Sequence, residues 1–271
     1  MTTKNLDRIQ TKLESITRKW WLFLLIIVSQ FIPLYTSKGV DLTEIGELTS
    51  AILGKDGLIY SYDVVYPIFK IIPIILIFSI LFLRNRVTRL FSFYVAITYV
   101  LFAFLQNIAV TKEYGLGIVT SNLVVICIVA AFWFWEALAQ KNDFTPRKQP
   151  LWKYWVIPFA FLAFWYPANP NTYMPDFNPL YIFNNAAGLF FCMMTPVYLA
   201  ILTFYYPRVN IATLRVTSFV GLILAFYNIL VNFVMFPDQL WWNGVLHIPL
   251  ITISIYAFVL SFLKMSNAEI K

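Results

Sequence analysis

Long apolar stretches alternate with short polar connectors along the whole chain. A helix needs about 20 mainly apolar residues to cross the hydrocarbon core of a bilayer, because its backbone N–H and C=O groups must all be hydrogen-bonded internally there. Stretches that approach this length occur at residues 20–36, 65–83, 90–110, 117–139, 152–167, 180–206, 214–236 and 244–264. The pattern therefore predicts an all-α integral membrane protein with eight transmembrane helices.

The charged residues are divided unequally between the two sets of connectors. Sixteen of the 20 lysines and arginines lie in residues 1–19, 84–89, 141–153, 208–215 and 264–271. The opposite connectors hold only three lysines together with eight acidic residues. Because lysine and arginine are concentrated in the cytoplasmic loops of membrane proteins, this asymmetry predicts that the N-terminus and the C-terminus are both cytoplasmic.

The predicted spans group into two membrane halves of four helices each. The halves are residues 20–139 and 152–264, joined by a cytoplasmic linker at 140–151 and followed by a cytoplasmic tail at 265–271. Their first spans begin alike, with Lys19-Trp20-Trp21 and Lys153-Tyr154-Trp155, and end in a proline at the same offset. Four spans per half preserve orientation, so we predict a parallel four-plus-four internal duplication. The alternative is chance recurrence of residues that are common at membrane interfaces.

Two shorter helices are predicted outside the spans. In residues 1–19, apolar side chains recur at helical spacing among charged ones, which predicts a cytoplasmic amphipathic helix lying in the membrane interface. In the first outer loop, Asp41 and Glu44 have the spacing of a capping box, and Gly54 that of a C-cap. We therefore predict a helix at 41–54, either an interfacial helix or a lid over a binding site.

Composition argues against several classes of function. Charged residues make up 12% of the chain, about half the share of a typical soluble domain. The net charge of +7 lies in clusters beside apolar spans, so it orients the protein in the membrane and does not indicate a nucleic-acid partner. Cys127 and Cys192 both fall within predicted spans, and a single histidine leaves no basis for a histidine-ligated metal centre. We predict a multi-pass cell-membrane protein without a cofactor.

Polar side chains within the predicted spans are concentrated toward the outer side of the bilayer. Such side chains are costly in a membrane and tend to face a cavity or a neighbouring helix. The candidates for substrate binding are Lys70, Asn107, Asn122, Asn184, Asn185, Tyr227, Asn228, Asn232, Trp242 and His247. Amides both donate and accept hydrogen bonds, so this set favours a neutral polar or zwitterionic solute. For any single asparagine, the alternative is a hydrogen bond that joins two helices.

For three ionisable residues within the spans, the sequence predicts specific partners or roles. Lys70 is expected to extend to the outer headgroups, to pair with an outer aspartate, or to hold a carboxylate or phosphate. His247 is expected to be either a hydrogen-bonded structural residue or a pH-sensitive group. Glu136, near the inner end of its span, is expected to pair with Lys141 or Lys153.

The sequence contains no Walker-type loop, dinucleotide-binding glycine pattern or HExxH motif. Together with the outward polar residues and the possible internal duplication, this absence favours a transporter or binding protein for a small polar solute that enters from the extracytoplasmic side. The partners in this reading are the lipid bilayer and that solute. One alternative is a structural or accessory subunit of a larger membrane complex, with membrane-protein partners or further copies of itself. A second alternative is a membrane-embedded enzyme that acts on a lipid at the outer leaflet.

Overall fold

A computed structural model of the chain describes residues 3–54 and 57–263, and most of these residues are helical. The α-helices of this part are α1 (Thr3–Ile16), α2 (Trp20–Val28), α3 (Ile45–Leu53), α4 (Tyr66–Leu83), α5 (Thr88–Leu105), α6 (Thr120–Ala139), α7 (Val156–Trp165), α8 (Tyr181–Asn184), α9 (Phe191–Tyr205), α10 (Ile211–Leu230) and α11 (Pro237–Leu260). The predicted tail at 265–271 lies outside the described residues.

Several of the described helices are suited to a membrane. Four are long and apolar enough to cross one: Leu58–Leu105, Thr120–Ala139, Ile211–Met235 and Pro237–Leu260. A fifth candidate is a helix pair, Tyr181–Leu189 and Phe191–Tyr205, bent by 99° at its break. Two further apolar helices, Trp20–Phe31 and Leu151–Trp165, are shorter. The chain is therefore a mostly helical membrane protein with four or five candidate spans. The eight crossings and the duplication stay predictions.

The longest of these candidates, Leu58–Leu105, is not one straight helix. A 3-10 turn, Arg84–Val87, separates α4 from α5, and Arg84 has φ 55° and ψ −128°. A side chain at Cβ strongly disfavours this backbone conformation, so the α-helix ends there. α4 and α5 have 18 residues each. At 1.5 Å per residue each is about 27 Å long, close to the thickness of a hydrocarbon core.

The turn after α4 is bonded to the linker at 140–151 through Asp143. The carboxylate of Asp143 accepts hydrogen bonds from Asn85 Nδ2 at 2.7 Å and from the Thr145 hydroxyl at 2.6 Å, and it pairs with Arg208. Partial burial alone would raise the pKa of Asp143, but the hydrogen bonds and the arginine outweigh it and lower that pKa to about 2. The linker is thus fixed to the helix bundle by charge-assisted bonds.

A three-stranded antiparallel sheet interrupts the helical pattern. Its strands are β1 (Tyr35–Thr36), β2 (Ile108–Thr111) and β3 (Gly115–Ile118), in the order β1-β3-β2. The all-α prediction is corrected here, because the ends of three predicted spans, at 20–36, 90–110 and 117–139, are strands. The Asn107 side chain donates to the last-turn carbonyls of Phe102 and Ala103 and so closes α5. Beyond it, β-branched residues favour extended backbone.

α3 packs on this sheet and lies within the predicted 41–54 helix. Its residues Leu48 and Ile52 are fully buried in a small core that includes Ala109 and Val119. The details of the predicted caps were wrong. Asp41 makes no side-chain capping bond, and Gly54 has φ −95°, which is not the left-handed conformation of a glycine C-cap.

The main core is an aromatic cluster between α5, α6 and α9. Tyr99 lies at its centre, with ring centroids 5.6 Å from Phe191, 5.8 Å from Tyr198 and 6.4 Å from Trp133. The hydroxyls of Tyr99 and Thr195 are 3.1 Å apart, so the buried phenol has a partner. Large rings thus fill the space between these helices.

α1 is attached to one end of the bundle by Arg215 of α10, which is 2% exposed. Its guanidinium donates to the Thr17 hydroxyl at 2.9 Å, to the Glu14 carbonyl at 3.3 Å, and to the Ser261 carbonyl. Glu14 and Ser261 lie at the ends of α1 and α11, where unpaired carbonyls carry partial negative charge. The sequence indicated Arg215 only as a membrane-orienting charge, whereas the structure shows that it joins three helices.

Gln10 provides a second buried attachment of α1. Its Nε2 donates to Asn210 Oδ1 at 3.0 Å, and its Oε1 accepts from Trp135 Nε1 at 2.7 Å. One face of α1 is therefore bonded to the start of α10 and the end of α6. An amphipathic pattern does not distinguish such docking from a helix that rests on lipid.

The same network accounts for Glu136, which is fully buried. Its carboxylate accepts from Asn210 Nδ2 at 2.7 Å and from the Asn142 backbone N–H at 2.8 Å. Lys141, one of the two lysines expected to pair with it, forms its ion pair with Asp7 at 2.6 Å instead. Amides therefore supply the hydrogen bonds that a buried carboxylate requires.

Candidate ligand-binding cleft

A cleft of about 410 Å³ opens between four parts of the chain. The parts are the 3-10 segment Leu58–Val65 with the first turn of α4, the end of α7, the loop 167–180, and the bent pair that contains α8 and the start of α9. The volume lies in the range of small-molecule sites in proteins. The break in the helix pair falls at the cleft itself, because Phe190, the residue between the two helices, lines it.

Six of the 14 residues that line the cleft are aromatic. They are Tyr60, Tyr66, Tyr166, Tyr173, Tyr181 and Phe190. The Phe190 ring packs edge-on against Tyr60 at 6.0 Å and Tyr166 at 6.1 Å. Apart from the tyrosine hydroxyls, the polar side-chain groups are the Asp63 carboxylate and the amides of Asn184 and Asn185. An apolar wall with a small number of polar groups is typical of ligand sites.

Three of the tyrosine hydroxyls donate hydrogen bonds to other groups of the protein. Tyr66 donates to the Ile59 carbonyl at 3.1 Å, Tyr166 to Asn243 Oδ1 at 2.8 Å, and Tyr181 to Asp176 Oδ2 at 2.6 Å. A hydroxyl whose proton is engaged can only accept further hydrogen bonds, and an ionised carboxylate such as Asp63 only accepts. The cleft therefore offers acceptors in excess of donors.

Strained backbone is found at two of the cleft's tyrosines. Tyr166 has φ 51° and Tyr173 has φ 56°, and they are two of the four non-glycine residues with positive φ in the described chain. Such conformations cost about 1–3 kcal/mol and are concentrated at ligand and active sites. The loop between them is thus held in a shape that the local sequence does not favour.

Asn184 and Asn185 are the predicted site residues that line the cleft. Asn184 is exposed, whereas Asn185 is hydrogen-bonded to the protein. Asn185 Nδ2 donates to the carbonyls of Trp165 and Tyr166 at 2.9 and 3.2 Å, and its Oδ1 accepts from the Ala187 N–H at 3.1 Å. It therefore fastens the end of α7 to the turn before α9, and so shapes the cleft.

Lys70 is fully buried and lies outside the cleft lining. Its ammonium donates to the Phe164 carbonyl and lies 4.3 Å from the centroid of the Phe164 ring. The expectation that Lys70 reaches the headgroups or pairs with an outer aspartate was wrong. The end of α7 presents carbonyls without helical partners, and a cation is stabilised at that negative end of the helix dipole.

Asn228 and Asn232 lie behind one wall of the cleft. Asn243 Nδ2 donates to Asn232 Oδ1 at 2.7 Å, while Asn243 Oδ1 accepts the Tyr166 hydroxyl. Asn232 Nδ2 in turn donates to the Asn228 carbonyl at 2.7 Å. Asn232 lies in a π-helical turn, Val231–Met235, an irregularity that is frequent at functional sites. The amides thus connect a cleft tyrosine to α10 and α11.

Trp242 and His247 belong to the same region. Trp242 Nε1 donates to the Pro167 carbonyl at 2.8 Å, beside the cleft loop. His247 Nδ1 lies 2.7 Å from the Asn243 carbonyl, which can only accept, so Nδ1 carries the proton. His247 is therefore a buried, hydrogen-bonded residue in the interior of α11, and both expectations for its role stay predictions.

The remaining predicted residues lie apart from the cleft. Asn107 caps α5, Asn122 is half-buried in the first turn of α6, and Tyr227 is 44% exposed on α10. The ten predicted residues thus divide into two in the lining, four around the Asn243 network and its neighbours, Lys70 beneath the end of α7, and three elsewhere. A binding role stays a prediction for all of them.

The residues predicted from the sequence to bind a substrate did not include the five tyrosines of the cleft, Asp63 or Asn243. A signal was present, because Tyr60, Tyr66, Tyr166, Tyr173 and Tyr181 all fall in or beside the predicted outer connectors. Tyrosine is also the ordinary residue of a membrane interface, so that enrichment alone does not indicate a site. The fold supplies the missing information by bringing these connectors together.

Within residues 3–54 and 57–263, no three His, Cys, Asp or Glu side chains come together as metal ligands. No protein-family model, curated protein or solved structure matches the chain. Fold and cleft together therefore define its class as a mostly helical membrane protein with a tyrosine-lined cleft at a broken helix.

Proposed function

We propose that this protein binds a small polar solute from the extracytoplasmic side, as a transporter or a binding protein, and that the tyrosine-lined cleft is the site. The observation that carries the proposal is the position of the cleft at the 99° break of the α8–α9 pair. Discontinuous helices form the substrate sites of many transporters, because unpaired backbone groups at the break are available to a ligand. The strained tyrosines in the wall support the same assignment.

The proposal includes eight membrane crossings. α4, α5, α6, α10 and α11 account for five, the bent pair for a sixth, and the short helices Trp20–Phe31 and Leu151–Trp165 for two more. The short helices are about 18 and 23 Å long, so the bilayer thins or the flanking residues continue the crossing. An even number of crossings puts both termini on one side, and the basic clusters make that side cytoplasmic.

Cysteine labelling tests this topology. In a variant without Cys127 and Cys192, we expect Asn171→Cys to react with a membrane-impermeant maleimide in intact cells. Lys148→Cys is expected to react only after permeabilisation. The reverse pattern would overturn the orientation, and labelling of both in intact cells would overturn the number of crossings between them.

The site itself is tested by a thermal-unfolding screen of the purified protein against small polar metabolites. A stabilising solute is expected to lose its effect in Asn184→Trp, because the indole fills the cleft from an exposed position. Phe183→Trp is the matched control, since Phe183 is also exposed and lies outside the lining. Equal stabilisation of both variants would place the solute elsewhere. A protein that no solute stabilises, and that aggregates away from its native membrane, would favour the accessory-subunit alternative.

The aromatic core next to the cleft is the barrier that a transported solute would have to pass. Phe190 lines the cleft, and the next residue, Phe191, already packs into the aromatic core beside Tyr99. Passage of a solute therefore requires that core to rearrange. Uptake of the stabilising solute into proteoliposomes supports a transporter. Binding without uptake supports a binding protein.

A further inference from the structure

The cleft's charged and polar groups restrict what it can hold. Asp63 is the charged residue in the lining, and among the lining residues of the described chain there is no lysine, arginine or histidine. Lys70, on the neighbouring turn of α4, is closed off because its ammonium is bonded to the Phe164 carbonyl. The electrostatic environment of the cleft is therefore negative.

The hydrogen-bonding capacity has the same bias. The hydroxyls of Tyr66, Tyr166 and Tyr181 donate hydrogen bonds to the Ile59 carbonyl, the Asn243 amide oxygen and the Asp176 carboxylate. These hydroxyls can still accept a hydrogen bond from a ligand through their oxygen lone pairs, and the Asp63 carboxylate can likewise only accept. An anion needs several donors, and this lining provides the exposed Asn184 amide and one hydroxyl proton of the hydrogen-bonded pair Tyr60 and Tyr173. Carboxylates and phosphates are thus poorly matched to the cleft.

The aromatic wall favours a cation in a further way. The faces of tyrosine rings attract ammonium groups, and rings surrounding a methylated ammonium form the known aromatic-cage arrangement. Here five tyrosines and Phe190 surround a space beside a carboxylate. A poorly hydrated organic cation loses little on leaving water for such a wall. A small inorganic cation such as Ca²⁺ is instead held by several oxygen ligands, usually more than one of them a carboxylate, and this lining has one carboxylate.

From these observations we propose that the ligand is a small organic ammonium compound. Its cationic group lies among Tyr60, Tyr166 and Tyr173, with Asp63 as the counter-ion. This inference rests on the proposed function of the cleft and adds the charge of the solute to it.

The experiment compares charged probes with uncharged compounds of the same shape. Choline is paired with 3,3-dimethyl-1-butanol, and ethanolamine with 1-propanol. Binding is measured by calorimetry on the full chain in phosphatidylglycerol nanodiscs, which contain no ammonium headgroups. We expect at least one cation to bind about tenfold or more tightly than its uncharged partner, as cation–π attraction and one carboxylate would give.

Variants locate the site. Asp63→Asn and Tyr60→Leu are expected to weaken binding of the cation about fivefold or more. The matched controls are Asp238→Asn and Tyr62→Leu, which alter exposed residues outside the lining and are expected to leave binding unchanged. Asp63 is exposed, so its isosteric replacement leaves the fold intact. Equal losses in variants and controls would overturn the placement of the cation.

The outcomes separate this inference from the proposed function. If an uncharged partner binds as tightly as its cation, or if only neutral or anionic solutes stabilise the protein through the cleft, the ammonium inference fails and the cleft remains a solute site. If nothing binds in a manner that Asn184→Trp abolishes, both fail. A repeat in phosphatidylcholine nanodiscs identifies the source of the ammonium group. Loss of choline binding there shows that a lipid headgroup fills the cleft, which supports the ammonium chemistry and overturns a free solute.

Discussion

Gly188 lies where the turn before α9 crosses α4, and replacing it by alanine is expected to destabilise the fold. A Cβ at this position would lie 2.5 Å from the Phe69 carbonyl oxygen and 2.8 Å from its carbon. Both are backbone atoms of a membrane helix, so no side chain can rotate away. One of the two segments must move by at least about half an ångström to restore van der Waals contact. Overpacking of this kind costs about 1–3 kcal/mol.

The assay is equilibrium unfolding in mixed detergent micelles, followed by tryptophan fluorescence, for Gly188→Ala and a matched control. Gly46→Ala is the control, because a Cβ there meets nothing within 4 Å and alanine favours the α3 helix slightly. We expect the Gly188 variant to unfold about 5- to 100-fold more readily at equilibrium, and the Gly46 variant to equal or exceed the parent. If the two variants agree within about 0.5 kcal/mol, the close approach of the turn to α4 is refuted.

Two further predictions concern the opposite end of the molecule. In Arg215→Met, the α1 amides are expected to exchange with deuterium about 10- to 100-fold faster, because α1 loses the charged hydrogen bonds that hold it to the bundle. Arg18→Met, at an exposed position, is the control. Unchanged exchange in Arg215→Met would contradict the docking of α1. Asp143 has a folded-state pKa of about 2 against an ordinary 3.8, so its stabilisation is present above about pH 4 and disappears as the pH falls toward 2. The difference in unfolding free energy between the parent and Asp143→Asn is expected to stay constant above pH 4 and to shrink below it. Because the carboxylate is partly exposed to solvent, that difference is expected to be about 1 kcal/mol or less. A difference that persists at pH 2 would refute this.

The long apolar stretches predicted the positions of the helices better than the positions of their ends. α6, α10 and α11 overlap predicted spans, because a run of about 20 apolar residues can cross a bilayer only as a helix with its backbone hydrogen bonds formed internally. The sheet was missed because β2 and β3 are short and apolar, and in a window of 20 residues they are indistinguishable from the end of a helix. Similarly, composition does not reveal a 99° bend at Phe190.

The polar residues were harder to interpret, since their partners are carbonyl groups that every residue has. Lys70, Asn107 and Asn185 each bond the carbonyls at the end of a helix, which depends on where that helix stops and on which helix lies beside it. The local sequence around each polar residue does not determine where that helix ends or which helix packs beside it. The tyrosines of the cleft converge from segments about 100 residues apart, so their grouping is a property of the fold.

The attachment of α1 has a consequence for the order in which the chain is made. Gln10 and Asn210 are 200 residues apart, and Thr17 and Arg215 are 198 apart. At typical rates of translation this corresponds to about 10–40 s between the emergence of the two partners. Arg215 also needs Ser261, close to the last described residue. α1 therefore leaves the ribosome well before its partners, and it can dock only after α10 has been synthesised and inserted, so its protection from protease reports that synthesis has passed that point.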